Sequence, residues 1–121
     1  MKPHRELPDL ELACLGILWT SGDQTVHEVR DRLQPHRPLA YTTVMTVLDR
    51  LARKGAVSRR KIGRAHLYHA ELPRQTARET ALNRLVEVYF EGSRDSLITF
   101  LGTAQAHAEP VAVSQFDETL L

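Results

Sequence analysis

Between Tyr41 and Arg64 the chain concentrates hydroxyl groups and cations. Thr42, Thr43 and Thr46 follow Tyr41 within two helical turns, and Arg50, Arg53, Lys54, Arg59, Arg60, Lys61 and Arg64 come after them. A threonine hydroxyl can donate to or accept from a base edge or a phosphate, and its methyl can pack on a thymine methyl. A dense set of arginines and lysines can neutralise a phosphate backbone. Asp49 is the one carboxylate within this basic stretch. A carboxylate there repels phosphate unless it is paired, and Arg53, four residues on, is a candidate partner. Each feature also has a plainer reading. Threonines near a helix start can serve as caps, and a basic run is often only a solvated face.

Other chemistry is sparse. His66 and His69 are three apart on an expected strand and so face opposite ways, which does not suit a shared metal. His4, His27, His36 and His107 read as solvent-facing. Cys14 is the single cysteine, so no internal disulfide can form, and its apolar helical surroundings fit a buried structural thiol. The chain lacks G-x-S-x-G, H-E-x-x-H and a Gly-rich phosphate loop. No enzyme activity, cofactor or metal is expected from these residues.

The elements that must position the threonines and cations follow from periodicity. Leu12, Leu15, Leu18 and Trp19 make a helical stripe over Asp9 to Thr20, ended by Ser21-Gly22-Asp23. Thr25-Val26-His27-Glu28 is a capping box that opens a second helix, with Val26, Val29 and Leu33 facing inward. Pro35 and Pro38 hold Gln34 to Leu39 as a loop. A third helix is expected from Tyr41 to Lys54, with Gly55 as a left-handed cap. Val44, Val47, Leu48 and Leu51 share its inner side, and Thr42, Thr46, Asp49 and Arg53 share the opposite side. Ala56 to Lys61 and Ala65 to Ala70 read as a hairpin turning at Ile62-Gly63-Arg64. A long helix then runs from Pro73 to about Glu91, and Ser93 caps another that carries Leu97, Ile98 and Leu101.

Length and charge bound the reading. At 121 residues the chain is one small domain, or one with an appendage. The net charge is only +1, but residues 1–70 carry 12 basic and 7 acidic side chains, whereas residues 71–121 carry 4 and 8. A basic first part (+5) and an acidic second part (−4) imply two jobs. No apolar run approaches the ~18 residues of a membrane span, and residues 1–6 lack the apolar centre of a signal peptide. A cytoplasmic location without membrane insertion is expected.

Three helices followed by a two-stranded wing are the order of a winged helix-turn-helix, whose third helix reads the DNA major groove. In detail the sequence resembles the penicillinase repressor family (BlaI/MecI type). The resemblance is carried by Leu7-Pro8-Asp9-Leu10-Glu11, Ile17-Leu18-Trp19, Thr25-Val26-His27-Glu28-Val29, Ala40-Tyr41-Thr42-Thr43-Val44, Leu51-Ala52-Arg53-Lys54-Gly55 and Gly63-Arg64-Ala65-His66-Leu67-Tyr68, and covers roughly Leu7 to Leu101. It implies a homodimeric repressor on an inverted-repeat operator, commonly of antibiotic-resistance genes, with the last two helices forming the dimer. In one branch of the family a membrane-bound sensor peptidase relieves repression by cutting an Asn-Phe bond. The similar position here is Thr99-Phe100, which keeps the Phe and not the Asn. The C-terminal Cys cluster of the copper-responsive branch is missing from this sequence.

The expected fold is therefore mainly α with a small β-hairpin: a winged helix-turn-helix over residues 1–71, a helical dimerisation region over 72–106 and a tail over 107–121. Tyr41, Thr42, Thr43, Thr46, Arg50, Arg53, Arg60, Lys61 and Arg64 are the candidate DNA contacts. Leu82, Leu85, Tyr89, Leu97, Ile98 and Leu101 are the candidate dimer contacts, because two such helices carry more apolar surface than one small chain covers. The expected partners are a palindromic duplex, a second copy of the chain and a sensor peptidase. The competing reading is a winged-helix protein-interaction module without DNA specificity.

Overall fold

Residues 7–107 are described by the structure, a computed structural model. The apolar stripes of the first three helices decide where the core lies. They belong to α1 (Asp9–Ser21), α2 (Val26–Leu33) and α3 (Tyr41–Arg53). Cys14, Leu15, Val29, Val44, Leu48 and Leu51 are fully buried between them. Burial also pushes the Cys14 thiol up to about 11, so it is not a thiolate at neutral pH.

Local chemistry sets the helix ends. The Thr25 hydroxyl accepts from the Glu28 backbone N–H, and Glu28 Oε1 accepts from the Thr25 N–H at 2.8 Å, which closes the expected capping box. Gly55 takes φ 80°, the left-handed conformation expected at the end of α3. The helix begins at Ala40 as its cap residue, without a side-chain cap, so Thr42 is not spent as a cap.

The hairpin consists of β2 (Val57–Ile62) and β3 (Ala65–Ala70), antiparallel from Val57 opposite Ala70 to Ile62 opposite Ala65. Its turn is only Gly63-Arg64, one residue shorter than the sequence reading, with positive φ at Gly63. A strand absent from that reading, β1 (Gln24–Thr25), pairs with the other edge of β3 and completes a three-stranded sheet in the order β1-β3-β2. Two residues are too few to show a period, so β1 is visible only through its partner. Beside it, Asp23 Oδ1 lies 2.7 Å from Nδ1 of His69 on β3. That hydrogen bond, with the charge of Asp23, raises the His69 imidazole above its ordinary range.

After β3 the Trp19 indole donates to the Leu72 carbonyl at 2.8 Å, fixing the exit of the chain. α4 (Arg74–Tyr89) and α5 (Arg94–His107) follow. The Ser93 hydroxyl accepts from the Ser96 N–H at the start of α5. Compactness divides the chain into two units after Thr80. In the second unit Val86 and Leu97 are buried, and the Phe90 and Phe100 rings lie 5.5 Å apart. The expected tail beyond His107, and His4, lie outside the described residues.

Two ion pairs brace α3. Glu11 on α1 is 3% exposed and takes Lys54 Nζ at 2.6 Å, just past the end of α3. Asp49 on α3 takes Arg59 Nη1 of β2 at 2.7 Å and the Tyr68 hydroxyl of β3 at 2.9 Å, both on Oδ1. The expected Asp49–Arg53 pair therefore does not form, because the hairpin supplies a better-placed guanidinium. Burial raises the Tyr68 phenol above its ordinary range, so it remains a protonated donor at neutral pH.

These braces differ in what they lose when broken. Lys54→Met strands the buried Glu11 carboxylate, and a cost of about 1–3 kcal/mol is expected once the half-exposed lysine is discounted. Chemical denaturation checks this, and Glu11→Leu/Lys54→Met is expected to recover most of the loss. Asp49→Ala leaves the Tyr68 hydroxyl buried without an acceptor and is expected to cost about 1–3 kcal/mol. Adding Tyr68→Phe to that variant is expected to return part of it, whereas Arg59→Ala alone is expected to cost much less than Asp49→Ala because that pair is half-exposed.

Candidate nucleic-acid interface

The outward side of α3 is short and polar at its start. Thr42 and Thr46 are exposed, and Thr43 and Tyr41 are half-buried on either flank. Thr46 Oγ1 donates to the Thr42 carbonyl at 2.9 Å. Its hydroxyl proton is thus committed within the helix, which leaves the oxygen lone pairs and the methyl to face outward. Arg50 and Arg53 follow further along the helix, both exposed.

The two ion pairs sort the cations. Lys54 is taken by Glu11, and Arg59 by Asp49. Among the described residues no carboxylate pairs with Arg50, Arg53, Arg60, Lys61 or Arg64, and all five are exposed. Asp49 is the one acidic residue of the stretch from 49 to 64, and its charge is already met by Arg59. The objection that it would repel phosphate is removed by the hairpin itself.

The hairpin register then divides the wing cations between two faces. Arg59 lies opposite Tyr68 and Lys61 opposite His66, so these four share the α3 side. Arg60 lies opposite Leu67 and belongs to the other side, with Ser58 and His69. There Arg60, Asp23 and His69 help to line a shallow hollow of about 280 Å³. Lys61 and Arg60 are neighbours in sequence but not on one surface.

On the α3 side a cleft of about 180 Å³ opens between the starts of α2 and α3 and the hairpin. Thr25, His27, Tyr41, Arg64 and His66 are among its lining residues. The His27 and Tyr41 rings lie 4.5 Å apart, tilted by 42°. Sequence reasoning singled out Tyr41 and Arg64 here and passed over His27 and His66. Nothing in the local sequence links α2 to β3; their approach appears only once the sheet has formed.

In the second unit the candidate dimer residues separate by burial. Leu85, Tyr89, Ile98 and Leu101 are exposed, Leu82 is half-buried and Leu97 is buried at 7%. Val88 and Phe100 add two exposed apolar side chains, and Thr99 is exposed beside Phe100 within α5. No helix among the described residues is long and apolar enough to cross a membrane, and none of their His, Cys, Asp and Glu side chains form a metal-holding group.

Comparison with known proteins places the chain. The "Penicillinase repressor" family model matches residues 7–118. The transcriptional regulator BlaI of Mycobacterium tuberculosis is 51% identical over 63 residues, which cover 51% of this chain and 46% of that protein. The match therefore spans about half of that relative's length. The penicillinase repressor of Bacillus licheniformis is 25% identical over 112 residues, covering 92% of this chain and 88% of that one. The solution structure of monomeric Bacillus licheniformis BlaI in complex with the blaP half-operator shares the winged-helix fold, with a TM-score of 0.52 and 28% identity over 63% of this chain and 93% of that one. The chain belongs to the penicillinase repressor family, a family of regulators rather than enzymes.

Proposed function

We propose that this chain is a sequence-specific DNA-binding transcriptional repressor that acts as a homodimer on an inverted-repeat operator. The observation that carries the proposal is the set of exposed cations without a carboxylate partner, Arg50 and Arg53 on α3 and Lys61 and Arg64 on the hairpin, beside outward-facing threonines. The half-operator complex of the similar repressor supports the same partner. Thr42, Thr43 and Thr46 read bases, and Arg50, Arg53, Lys61 and Arg64 hold phosphates, with Tyr41 at the edge of the cleft; Arg60, on the other face of the hairpin, is left out of this set. The spent donor of Thr46 narrows its readout to a thymine methyl or an exocyclic amino group.

The apolar side chains Leu85, Tyr89, Ile98 and Leu101 support a second copy as their cover. A two-fold dimer would present two recognition helices to a palindrome. Relief of repression by a membrane-bound sensor peptidase would require cleavage at Thr99–Phe100. That bond lies inside α5, with the Thr99 carbonyl accepting from Thr103, so cleavage would need local opening of the helix.

The experiment is a titration of duplex DNA from upstream of the protein's own gene at several salt concentrations. Lys61→Ala is expected to weaken binding to all sequences and to lower the salt slope by about one. An unchanged slope removes the wing from the interface. Thr46→Ala is expected to relax preference at one base pair, by about 1–3 kcal/mol. A salt-insensitive, sequence-blind surface would favour the protein-interaction module instead. Sedimentation at micromolar concentration is expected to find a dimer, and a monomer there would overturn the reading of α4 and α5.

A further inference from the structure

We infer that Met45 is a further specificity-determining residue of α3, whose side chain seats the C5-methyl of one thymine in each half-site. The inference rests on the DNA-binding reading above and extends it to a residue that reading leaves unused.

Burial along α3 supplies the first step. Val44, Val47, Leu48 and Leu51 are buried in the core. Met45 is not among them and stays 37% exposed. It comes four positions after Tyr41 and four before Asp49, so the three share one edge of the helix. Asp49 is tied to Arg59 of the hairpin, which makes that edge the one beside the wing. Met45 lines the cleft there with Tyr41 and Arg64. It also borders the outward side, three positions after Thr42 and next to Thr46, both of them exposed. An exposed apolar side chain by itself needs no explanation. This one stands among the residues that meet base edges on the proposed reading, so docking of α3 into a major groove takes it out of water.

Its chemistry selects what it can meet there. A thioether donates no hydrogen bond and accepts only weakly. Pressed against an amino, carbonyl or ring-nitrogen group of a base, it displaces water and leaves that group unpaired, which is unfavourable. The thymine C5-methyl is the apolar group that a base pair presents in the major groove. The methionine side chain is unbranched, with three rotatable bonds and a polarisable sulfur, so it closes on a methyl without demanding one fixed helix position. The threonines beside it act through short groups, and the Thr46 proton is already given to the Thr42 carbonyl. Met45 adds a longer apolar contact on the wing side of the helix. The carboxylate on the same edge does not oppose it, because Asp49 Oδ1 is held by Arg59 and Tyr68.

The test uses the full chain and the duplex most enriched from a randomised pool, so no operator has to be assumed. Each thymine is replaced in turn by deoxyuridine, which removes only the C5-methyl. One thymine in each half-site is expected to lose about fourfold in affinity on replacement, the worth of one buried methyl group. Met45→Leu is expected to keep that dependence, and so is Thr46→Ala. Met45→Ala and Met45→Gln are expected to bind the two duplexes within about twofold of each other, because the apolar contact is gone. Comparing two duplexes on one variant cancels any loss of folded protein, and glutamine keeps the length of the side chain in the cleft wall. If no deoxyuridine weakens binding by the unchanged chain, the inference alone is overturned. A dependence that survives in Met45→Ala and Met45→Gln leaves Met45 as cleft wall only and also overturns it. So does one that disappears in Thr46→Ala instead. Absence of any enriched sequence overturns the sequence-specific DNA-binding reading and this inference together.

Discussion

One carboxylate oxygen holds the hairpin against the third helix. Asp49 Oδ1 accepts from Arg59 on β2 and from the Tyr68 hydroxyl on β3, so helix and both long strands meet at a single atom. The two bonds are not equal in weight. The Arg59 pair is half-exposed and belongs with surface ion pairs, which solvent and salt screen. Tyr68 is 1% exposed, and a hydroxyl buried without a partner costs about 1–3 kcal/mol. The constraint is therefore set by Tyr68, which must find an acceptor, while Arg59 supplies the charge that makes a carboxylate tolerable there. The same arrangement fixes the angle between helix and wing and cancels the negative charge on the surface that would face phosphate.

What could be read in the sequence was local. The Thr25–Glu28 capping box, the left-handed Gly55 and the Gly63 turn each depend on residues within a few positions of one another. The inward stripe of α3 followed from helical periodicity, and its four apolar residues are all buried. What escaped depends on chain separation. Helical spacing offers Asp49 a partner four residues along its own helix, whereas its partners lie 10 and 19 residues away. Glu11 and Lys54 are 43 residues apart, and neither side chain announces the other. Strand β1 has no period of its own and exists because β3 offers an open edge. In α4 and α5 the apolar residues are broad enough around the helix that periodicity alone does not separate Leu97, which is buried, from Ile98, which is 65% exposed.

Charge shows why a whole-chain total is a poor guide to surface chemistry. The net value of +1 joins a basic first part to an acidic second part. Folding then subtracts further: Glu11 and Asp49 each take one cation from the basic stretch. The cations left over are sorted again by the hairpin register, which sends Lys61 to the α3 side and Arg60 to the other. Screening limits fixed charges to about 8–10 Å at physiological salt, so the local arrangement decides what a phosphate meets.

If α3 is the recognition helix, as proposed, it divides its labour along its length by the same logic of committed and uncommitted groups. Near its start Thr46 has given its proton to the Thr42 carbonyl, so that part of the surface offers a methyl and lone pairs. Further along, Arg50 and Arg53 offer only donors and positive charge. Acceptors and methyls discriminate between base edges, whereas guanidinium groups bind phosphate whatever the sequence. On the proposed reading, a helix ordered in this way would read at one end and grip at the other, with the tie at Asp49 between the two. Its position there couples, through one buried tyrosine, the setting of the hairpin to that of the helix.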